Sequence, residues 1–170
     1  ERQVLGWFQP QEPELFQVGR LPVIGLVGDE GYAYCTPVFG VPGFKIGKYH
    51  HRSEVVDPNA VSRTFDAEDE ELLRAFLRRY FPLADGPTMQ LKVCMFTNTP
   101  DEHFIIDRHP EWPQVCLASA CSGHGFKMTS VVGEIMAGLA LDGETEHDID
   151  LFCLARFAGA TTAPATASAR

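Results

Sequence analysis

Two residues on strand-like segments carry side chains that could do chemistry. Cys94 stands in the apolar run VCMFT, where a cysteine is usually a small core residue. Lys45 stands in GFKIG between Phe44 and Ile46, which should point to the opposite side of a strand. A lone lysine on a strand usually faces water, so the pattern leaves open whether Lys45 faces solvent or a cavity. In a cavity it would be a fixed positive charge beside any ligand.

A glycine-rich turn is the third feature with chemical potential. It runs from Ser122 to Lys127 as SGHGFK, and its two glycines permit a close approach of the backbone to a ligand. The helix expected next would direct free N–H groups and its positive dipole end at the turn. Negative charge should be stabilised there, with help from Lys127. A glycine-rich connection without a ligand explains the motif equally well, since it is neither a Walker A loop nor G-x-G-x-x-G.

Metal and hydrolase chemistry are poorly supported. The candidate metal ligands are four histidines and three acidic residues: His50, His51, His103 and His109 with Asp101, Glu102 and Asp107. No H-E-x-x-H motif or Cys/His pair at zinc spacing accompanies them, so we expect no metal. No G-x-S-x-G elbow is present either, which disfavours a serine hydrolase.

Composition narrows the class of protein. The chain has 170 residues, 45% of them hydrophobic, and a net charge of -9. Such an acidic surface repels phosphate backbones, so nucleic acid is not an expected partner. No apolar run is long enough to cross a bilayer, so no membrane association is expected. The five cysteines form no C-x-x-C pair, which favours a reducing, cytoplasmic compartment.

The elements that must position these residues follow from periodicity and turn signals. Residues 1–60 alternate short apolar runs with Gly/Pro breakers, which predicts a β-sheet with hairpins. The acid-first, base-last pattern of Asp66–Phe81 predicts an amphipathic helix, at about 67–81. Later strands are predicted at Leu91–Thr97, Phe104–Asp107 and Val115–Ala120, the last one buried, and a second helix at Lys127–Leu141. The Ala/Thr/Pro/Ser-rich segment 158–170 is expected to be disordered.

Four segments together resemble one enzyme family. VCMFTNTPDEHFIIDRHP (93–110), CSGHGFKMTSVVGE (121–134) and ETEHDIDLF (144–152) resemble the C-terminal half of monomeric sarcosine oxidase and N-methyltryptophan oxidase. GYAYCTPVFGVPGFKIGKYHH (31–51) is similar to the substrate-side strands of the same enzymes. These are FAD-dependent amine oxidases of the D-amino acid oxidase superfamily. They oxidise the C–N bond of a secondary amino acid and reduce oxygen to hydrogen peroxide.

The resemblance also implies a fold. It is α+β, with a largely antiparallel or mixed sheet and flanking helices in a substrate-binding domain, residues 1–92. Residues 93–157 would be a returning flavin-side segment whose strand–turn–helix belongs to the FAD-binding domain. The N-terminal Rossmann part of the family, with its G-x-G-x-x-G turn, is not found in these 170 residues. Together with an opening that reads as the interior of a strand, this leads us to expect a fragment of a longer parent.

Residue roles come from the same resemblance. Cys94 matches the cysteine that forms a thioether to the flavin, which makes FAD covalent in the parent. Lys45 matches the lysine beside the flavin that helps oxygen accept an electron. Lys127 matches a residue that pairs with the substrate carboxylate, and Tyr34 an aromatic at the wall of the substrate cavity.

The glycine turn and one histidine complete the implied site. The backbone of Gly123, His124 and Gly125 would lie at the flavin pyrimidine edge. The family has a histidine about four residues after the lysine, where this chain has Tyr49 followed by His50. Either His50 takes the catalytic role through a one-residue shift of the strand, or Tyr49 replaces it. A shift by one residue flips a side chain to the other face, so the two are not equivalent.

Several alternatives remain open from the sequence. The chain alone is expected to hold FAD poorly and to be inactive, because its N-terminal FAD-binding half would be missing. The expected partners of the parent are a small amino-acid substrate and oxygen. The chain could instead be a non-catalytic substrate-binding or subunit module that works with a separate flavin-binding chain. Pipecolate, N-methyltryptophan or a fructosyl amino acid could replace sarcosine, depending on the cavity around Gly25, Leu26 and Tyr34.

Overall fold

The computed structural model describes residues 1–158, which form two compact units. The first unit is Glu1–Met95, and the second begins at Phe96. The segment 158–170 that was expected to be disordered lies, apart from Ala158, outside the described residues.

A five-stranded antiparallel sheet forms the first unit. Its strands are β1 (Arg2–Phe8), β2 (Ile24–Gly28), β3 (Gly31–Thr36), β4 (Phe44–Lys48) and β5 (Thr88–Met95). They lie in the order β2-β3-β4-β1-β5, and every neighbouring pair is antiparallel. The first strand of the chain, β1, therefore lies between β4 and β5 and connects strands β2, β3 and β4 to β5 through its hydrogen bonds.

One face of this sheet is the hydrophobic core. Strand alternation directs Phe8, Phe44 and Ile46 to that face, where they are completely buried. Helix α1 (Ala67–Tyr80) covers the same core and contributes Leu73 and Leu77, which are also completely buried. Helix α1 therefore covers one face of the sheet and leaves the opposite face uncovered by that helix.

Helix α1 begins with a capping box. The Asp66 side chain accepts from the Asp69 amide at 2.9 Å, and the Asp69 side chain accepts from the Asp66 amide at 3.1 Å. Acidic residues occupy its first turn, and Arg78 and Arg79 its last, as the helix dipole favours. The helix predicted from this charge pattern is confirmed to within a residue at each end.

The second unit pairs a short hairpin with a helix. Strands β6 (Ile105–Arg108) and β7 (Cys116–Ser119) are antiparallel, and helix α2 (Thr129–Leu141) packs against them. Short 3₁₀ helices lie at Pro13–Phe16 and Pro82–Ala84 in the first unit, and at Gly125–Met128, Asp150–Phe152 and Leu154–Phe157 in the second. The α+β class with an antiparallel sheet is confirmed.

Three details of the predicted elements are wrong. The apolar run Phe44–His50 predicted a strand of that length, but strand β4 ends at Lys48, because residues 49–52 form a turn. Strand β7 is only half-buried, since α2 covers one side of a two-stranded hairpin. Helix α2 begins at Thr129 instead of Lys127, because a 3₁₀ turn occupies the residues just before it.

Candidate active site

The sheet face opposite the core carries three of the predicted site residues. Tyr34 on β3 pairs with Gly47, which lies on β4 two residues after Lys45 and therefore on the same face. On β1 and β5, the pair Gln3 and Cys94 shares that face, because their neighbours in sequence point into the core. Tyr34, Lys45 and Cys94 are thus brought to one face from three different strands. We call it the open face.

Lys45 faces a groove and not bulk solvent alone, which answers the question that strand alternation left open. The groove has a volume of about 560 Å³ and is mostly apolar, with Trp7, Val23 and Phe39 in its walls. Lys45 is half-buried at its edge, with its Nζ 5.4 Å from the centroid of the Trp7 ring. A cation over an indole face loses part of its hydration, so its field would act more strongly on a ligand bound beside it than it would in bulk water.

Tyr34 lies against the sheet because Gly47 has no side chain. A Cβ at Gly47 would collide with the Tyr34 ring, so glycine is what lets the phenol lie flat on the strand. Burial, followed by the nearby thiols of Cys94 and Cys35, raises the pKa of Tyr34 to about 12. Tyr34 therefore remains a neutral hydroxyl across the physiological range and can donate a hydrogen bond but not act as a phenolate base.

Cys94 is accessible. Its apolar neighbours in sequence are typical of a core cysteine, but Cys94 is not in the core, because its side chain is exposed on the open face. Directly across from it lies Gln3, which is 2% exposed. The Gln3 Nε2 donates to Glu1, but its Oε1 has no hydrogen-bond partner within residues 1–158. An accessible thiol beside a buried amide oxygen with an unused lone pair fits a bound group at this position.

His50 and Tyr49 both lie in the turn after β4, so strand alternation does not decide between them. The backbone of His50 is left-handed, with φ of 56°, and its Nδ1 lies 2.8 Å from Glu1 Oε2. The Tyr49 ring packs edge-on against Tyr32, at 5.6 Å between centroids. A one-residue shift of the strand therefore does not place His50, because β4 ends at Lys48, before both Tyr49 and His50.

A buried ionic cluster supports this turn and was not singled out from the sequence. Asp69 of α1 accepts hydrogen bonds from Nη1 and Nη2 of Arg2, at 2.9 and 2.7 Å. The ring of His51, a residue that is 2% exposed, places its Nε2 3.0 Å from Asp69 Oδ1. Lys48 donates to the His51 carbonyl at 2.9 Å. The neighbouring His-His pair and the acids of α1 were visible in the sequence, but nothing local indicates that they meet.

The glycine turn of the second unit is tightly constrained. Gly125 lies so close to the Ala120 carbonyl that a Cβ there would overlap it, which excludes any other residue without a backbone shift. Ser122 is completely buried, and its amide donates to the Thr97 carbonyl at 2.7 Å. The His124 ring stacks on Phe104 at 4.8 Å between centroids. The turn is a rigid feature, as a backbone binding surface must be.

Lys127 is placed differently from the expectation. It lies in the 3₁₀ helix Gly125–Met128, is exposed, and precedes the first residue of α2. Helix α2 therefore starts at Thr129, and the 3₁₀ helix Gly125–Met128 separates its first residue from Gly123. The dipole argument for the turn is weakened, while the ammonium of Lys127 remains available.

Residues 1–158 also lack a metal cluster and a membrane-spanning helix. No three His, Cys, Asp or Glu side chains in this range converge as metal ligands would. None of the helices found there has the combination of length and apolarity that a membrane span needs.

Comparison with known proteins identifies the class to which this fold and open face belong. Residues 3–139 match the family described as FAD dependent oxidoreductase, abbreviated DAO. The chain therefore belongs to the FAD-dependent oxidoreductase (DAO) family of flavoproteins.

Relatives within that family are amine oxidases. The chain is 46% identical over 157 residues to monomeric sarcosine oxidase of Bacillus sp. (strain NS-129), which covers 91% of this chain and 40% of the relative. It is 33% identical over 162 residues to N-methyl-L-tryptophan oxidase of Yersinia pestis (strain Pestoides F), covering 92% and 42%. The solved structure of fructosyl amine: oxygen oxidoreductase (Amadoriase I) from Aspergillus fumigatus is similar with a TM-score of 0.68 at 26% identity, covering 89% and 37%. The chain thus spans about two fifths of the length of these relatives.

Proposed function

We propose that this chain is the substrate-side sheet and flavin-side turn of a FAD-dependent amine oxidase that acts on a secondary amino acid such as sarcosine. The observation that carries the proposal is the open face, where Cys94, Lys45 and Tyr34 meet from β5, β4 and β3. Three separate family-matched residues on one face are not a consequence of strand composition. Their coincidence supports a common ligand.

The reaction balances with oxygen and water as co-reactants. An N-methyl amino acid and O₂ give the N-methylene imine and H₂O₂, and water then converts the imine to formaldehyde and the primary amine. Bound FAD would supply the acceptor for the hydride equivalent, which carries both electrons, that is removed from the C–N unit. The protein's task is to hold the reactants, exclude water and place charge.

The chain's own residues divide this task. Cys94 would hold the flavin covalently, since its thiol is accessible on the open face. Lys45, poised over Trp7, would place positive charge where oxygen becomes negative. Tyr34, neutral because burial raises its pKa, would line the substrate cavity as a hydrogen-bond donor.

The second unit would contribute in two ways. The rigid backbone of Gly123, His124 and Gly125 would face the polar edge of the flavin, and the exposed ammonium of Lys127 would pair with the substrate carboxylate. Residues 93–157 would be the flavin-side segment and residues 1–92 the substrate-binding part. His50, oriented by Glu1, would be the family's histidine in a turn setting.

A chimera tests the proposal. The chain spans 40% of the Bacillus oxidase, so it can replace the matching part of that enzyme, which supplies the ADP-binding segment. We expect the chimera to be yellow and to produce peroxide from sarcosine, and the 170-residue chain alone to do neither. A folded chimera that retains the flavin but oxidises no secondary amino acid would contradict the proposed reaction. Peroxide from the chain alone would contradict the need for a second segment.

A further inference from the structure

Trp7 lies between two lysine side chains on the open face. The Nζ of Lys45 is 5.4 Å from the centroid of the Trp7 ring, and the Nζ of Lys92 is 5.7 Å from it. The strand register explains the arrangement. Lys45 lies directly across from Trp7 on β4, whereas Lys92 on β5 lies across from Leu5, the next β1 residue on the same face. The indole is thus flanked by cations from both neighbouring strands.

Neither lysine has a carboxylate partner. Within residues 1–158, no Asp or Glu oxygen lies within 4.0 Å of Lys45 or Lys92, whereas Arg2, Arg74 and Arg79 each pair with an acid. The chain has 23 acidic residues against 14 Lys and Arg, so acids were available to neutralise the pair. Two uncompensated cations on one face of an acidic protein indicate a negative or electron-rich partner from outside these residues.

Lys92 lies closer along the chain to the anchoring thiol than Lys45 does. Lys92 and Cys94 are two residues apart on β5, which places their Cα atoms about 7 Å apart on the same face. Lys45 approaches the same face from β4, on the far side of β1. The two ammonium groups therefore reach a ligand held at Cys94 from two directions, with Trp7 between them.

We propose that Lys92 is a second electrostatic group of the flavin site and stabilises negative charge on the ring held at Cys94. This rests on the proposed function, because it takes the flavin to be the group that Cys94 anchors. A cation beside a redox group favours the form with more negative charge, and the open face provides this from Lys92 as well as Lys45. The cation–π contacts with Trp7 favour positions of both ammonium groups over the open face.

The experiment compares Lys92→Met with Lys92→Arg in the full-length holoenzyme. The reduction potential of the bound flavin is measured by equilibrium titration against a reference dye, after in-gel fluorescence has shown that the flavin is covalently held. We expect Lys92→Met to lower the equilibrium constant for reduction about tenfold, or about 30 mV for two electrons, and Lys92→Arg to stay within about twofold. Lys92→Gln is a second neutral variant that should match Lys92→Met.

Lys48→Met is the matched control. Lys48 follows Lys45 on β4 by three residues and therefore points to the other face, where it donates to the His51 carbonyl. Its loss should leave the potential unchanged. If both neutral Lys92 variants keep the wild-type potential with covalent flavin, the role of Lys92 is overturned and the proposed function stands. If the wild-type protein itself holds no covalent flavin, the proposed role of Cys94 fails and this proposal fails with it, whereas the proposed amine oxidation is tested separately by the chimera.

Discussion

Asp69 is the buried acid whose loss we expect to destabilise the first unit most. Its carboxylate is fully buried and accepts hydrogen bonds from Nη1 and Nη2 of Arg2 and from the Asp66 amide, the last at 3.1 Å. The His51 Nε2 lies 3.0 Å from it. Burial alone would raise the pKa of Asp69, but the hydrogen bonds from Arg2 and the Asp66 amide outweigh it and hold that pKa well below its usual range. The native state therefore depends on a charged Asp69.

The magnitude follows from what Asp69→Ala leaves behind. Arg2, 5% exposed, would keep a buried charge whose remaining contacts include the Thr64 carbonyl at 2.7 Å and the exposed Glu54 carboxylate at 3.7 Å. Removing one partner of a buried ion pair costs about 3–5 kcal/mol. A domain of this size has about 5–15 kcal/mol of stability, so the variant should lose a large fraction of it. Asp69→Asn keeps the shape and one acceptor, and it should lose less.

Tryptophan fluorescence makes the measurement specific to the first unit. The chain has two tryptophans, of which Trp7 lies in the first unit and Trp112 in the second. A Trp112→Phe background leaves Trp7 as the reporter of urea unfolding. Glu71→Ala is the control on the same helix, because its pair with Arg78 is exposed and should contribute little. A loss below about 1 kcal/mol for Asp69→Ala would refute the assigned role of the cluster.

Three more predictions address oxygen, pH and the glycine turn. Lys45→Met in the full-length enzyme should slow reoxidation by oxygen about 100-fold while reduction by substrate changes little, as stopped-flow absorbance would show; equal slowing of both steps would remove the assigned role. Burial, and then the charges of Lys48 and Arg2, lower the pKa of His51 from 6.5 despite the opposing bond to Asp69. The neutral ring therefore contributes stability that is fully present above pH 6.5 and is lost as the pH falls from 6.5 through the pKa of His51 in the folded state. The urea midpoint of the wild type should decline over that pH range, and the midpoint of His51→Gln should decline less. Gly125→Ala should lower the melting temperature of the second unit, because its Cβ overlaps the Ala120 carbonyl; an unchanged melting temperature would contradict that contact.

Much of the fold is local information and could be predicted from the sequence. The two-residue connection Asp29-Glu30 between β2 and β3, and the charge order of α1, fix those elements from neighbours alone. The position of β1 between β4 and β5 could not be predicted, because it depends on pairing between residues about 40 and 90 positions apart. The start of α2 was predicted two residues too early, because over so few residues a 3₁₀ helix and an α-helix have similar sequence patterns, and Gly125–Met128 is a 3₁₀ helix.

The site shows the same division. Alternation along β4 separates Lys45 from Phe44 and Ile46, but only the position of α1 shows which of the two faces is the core. The pairing of Lys92 with Trp7 depends on the register between β1 and β5 and has no signal in either strand alone. The turn that contains His50 could not be predicted, because the residues directly after Lys48 have a composition typical of a strand.

The chemical state of Cys94 tests the central claim most directly. The full-length protein is denatured, separated by gel electrophoresis, and the peptide containing Cys94 is analysed by mass spectrometry. We predict that flavin fluorescence stays with the protein band, that the peptide carries the flavin mass, and that Cys94→Ser abolishes both. Flavin that leaves the wild-type protein on denaturation, with an unmodified Cys94 peptide, would contradict the assignment of the open face as the flavin site.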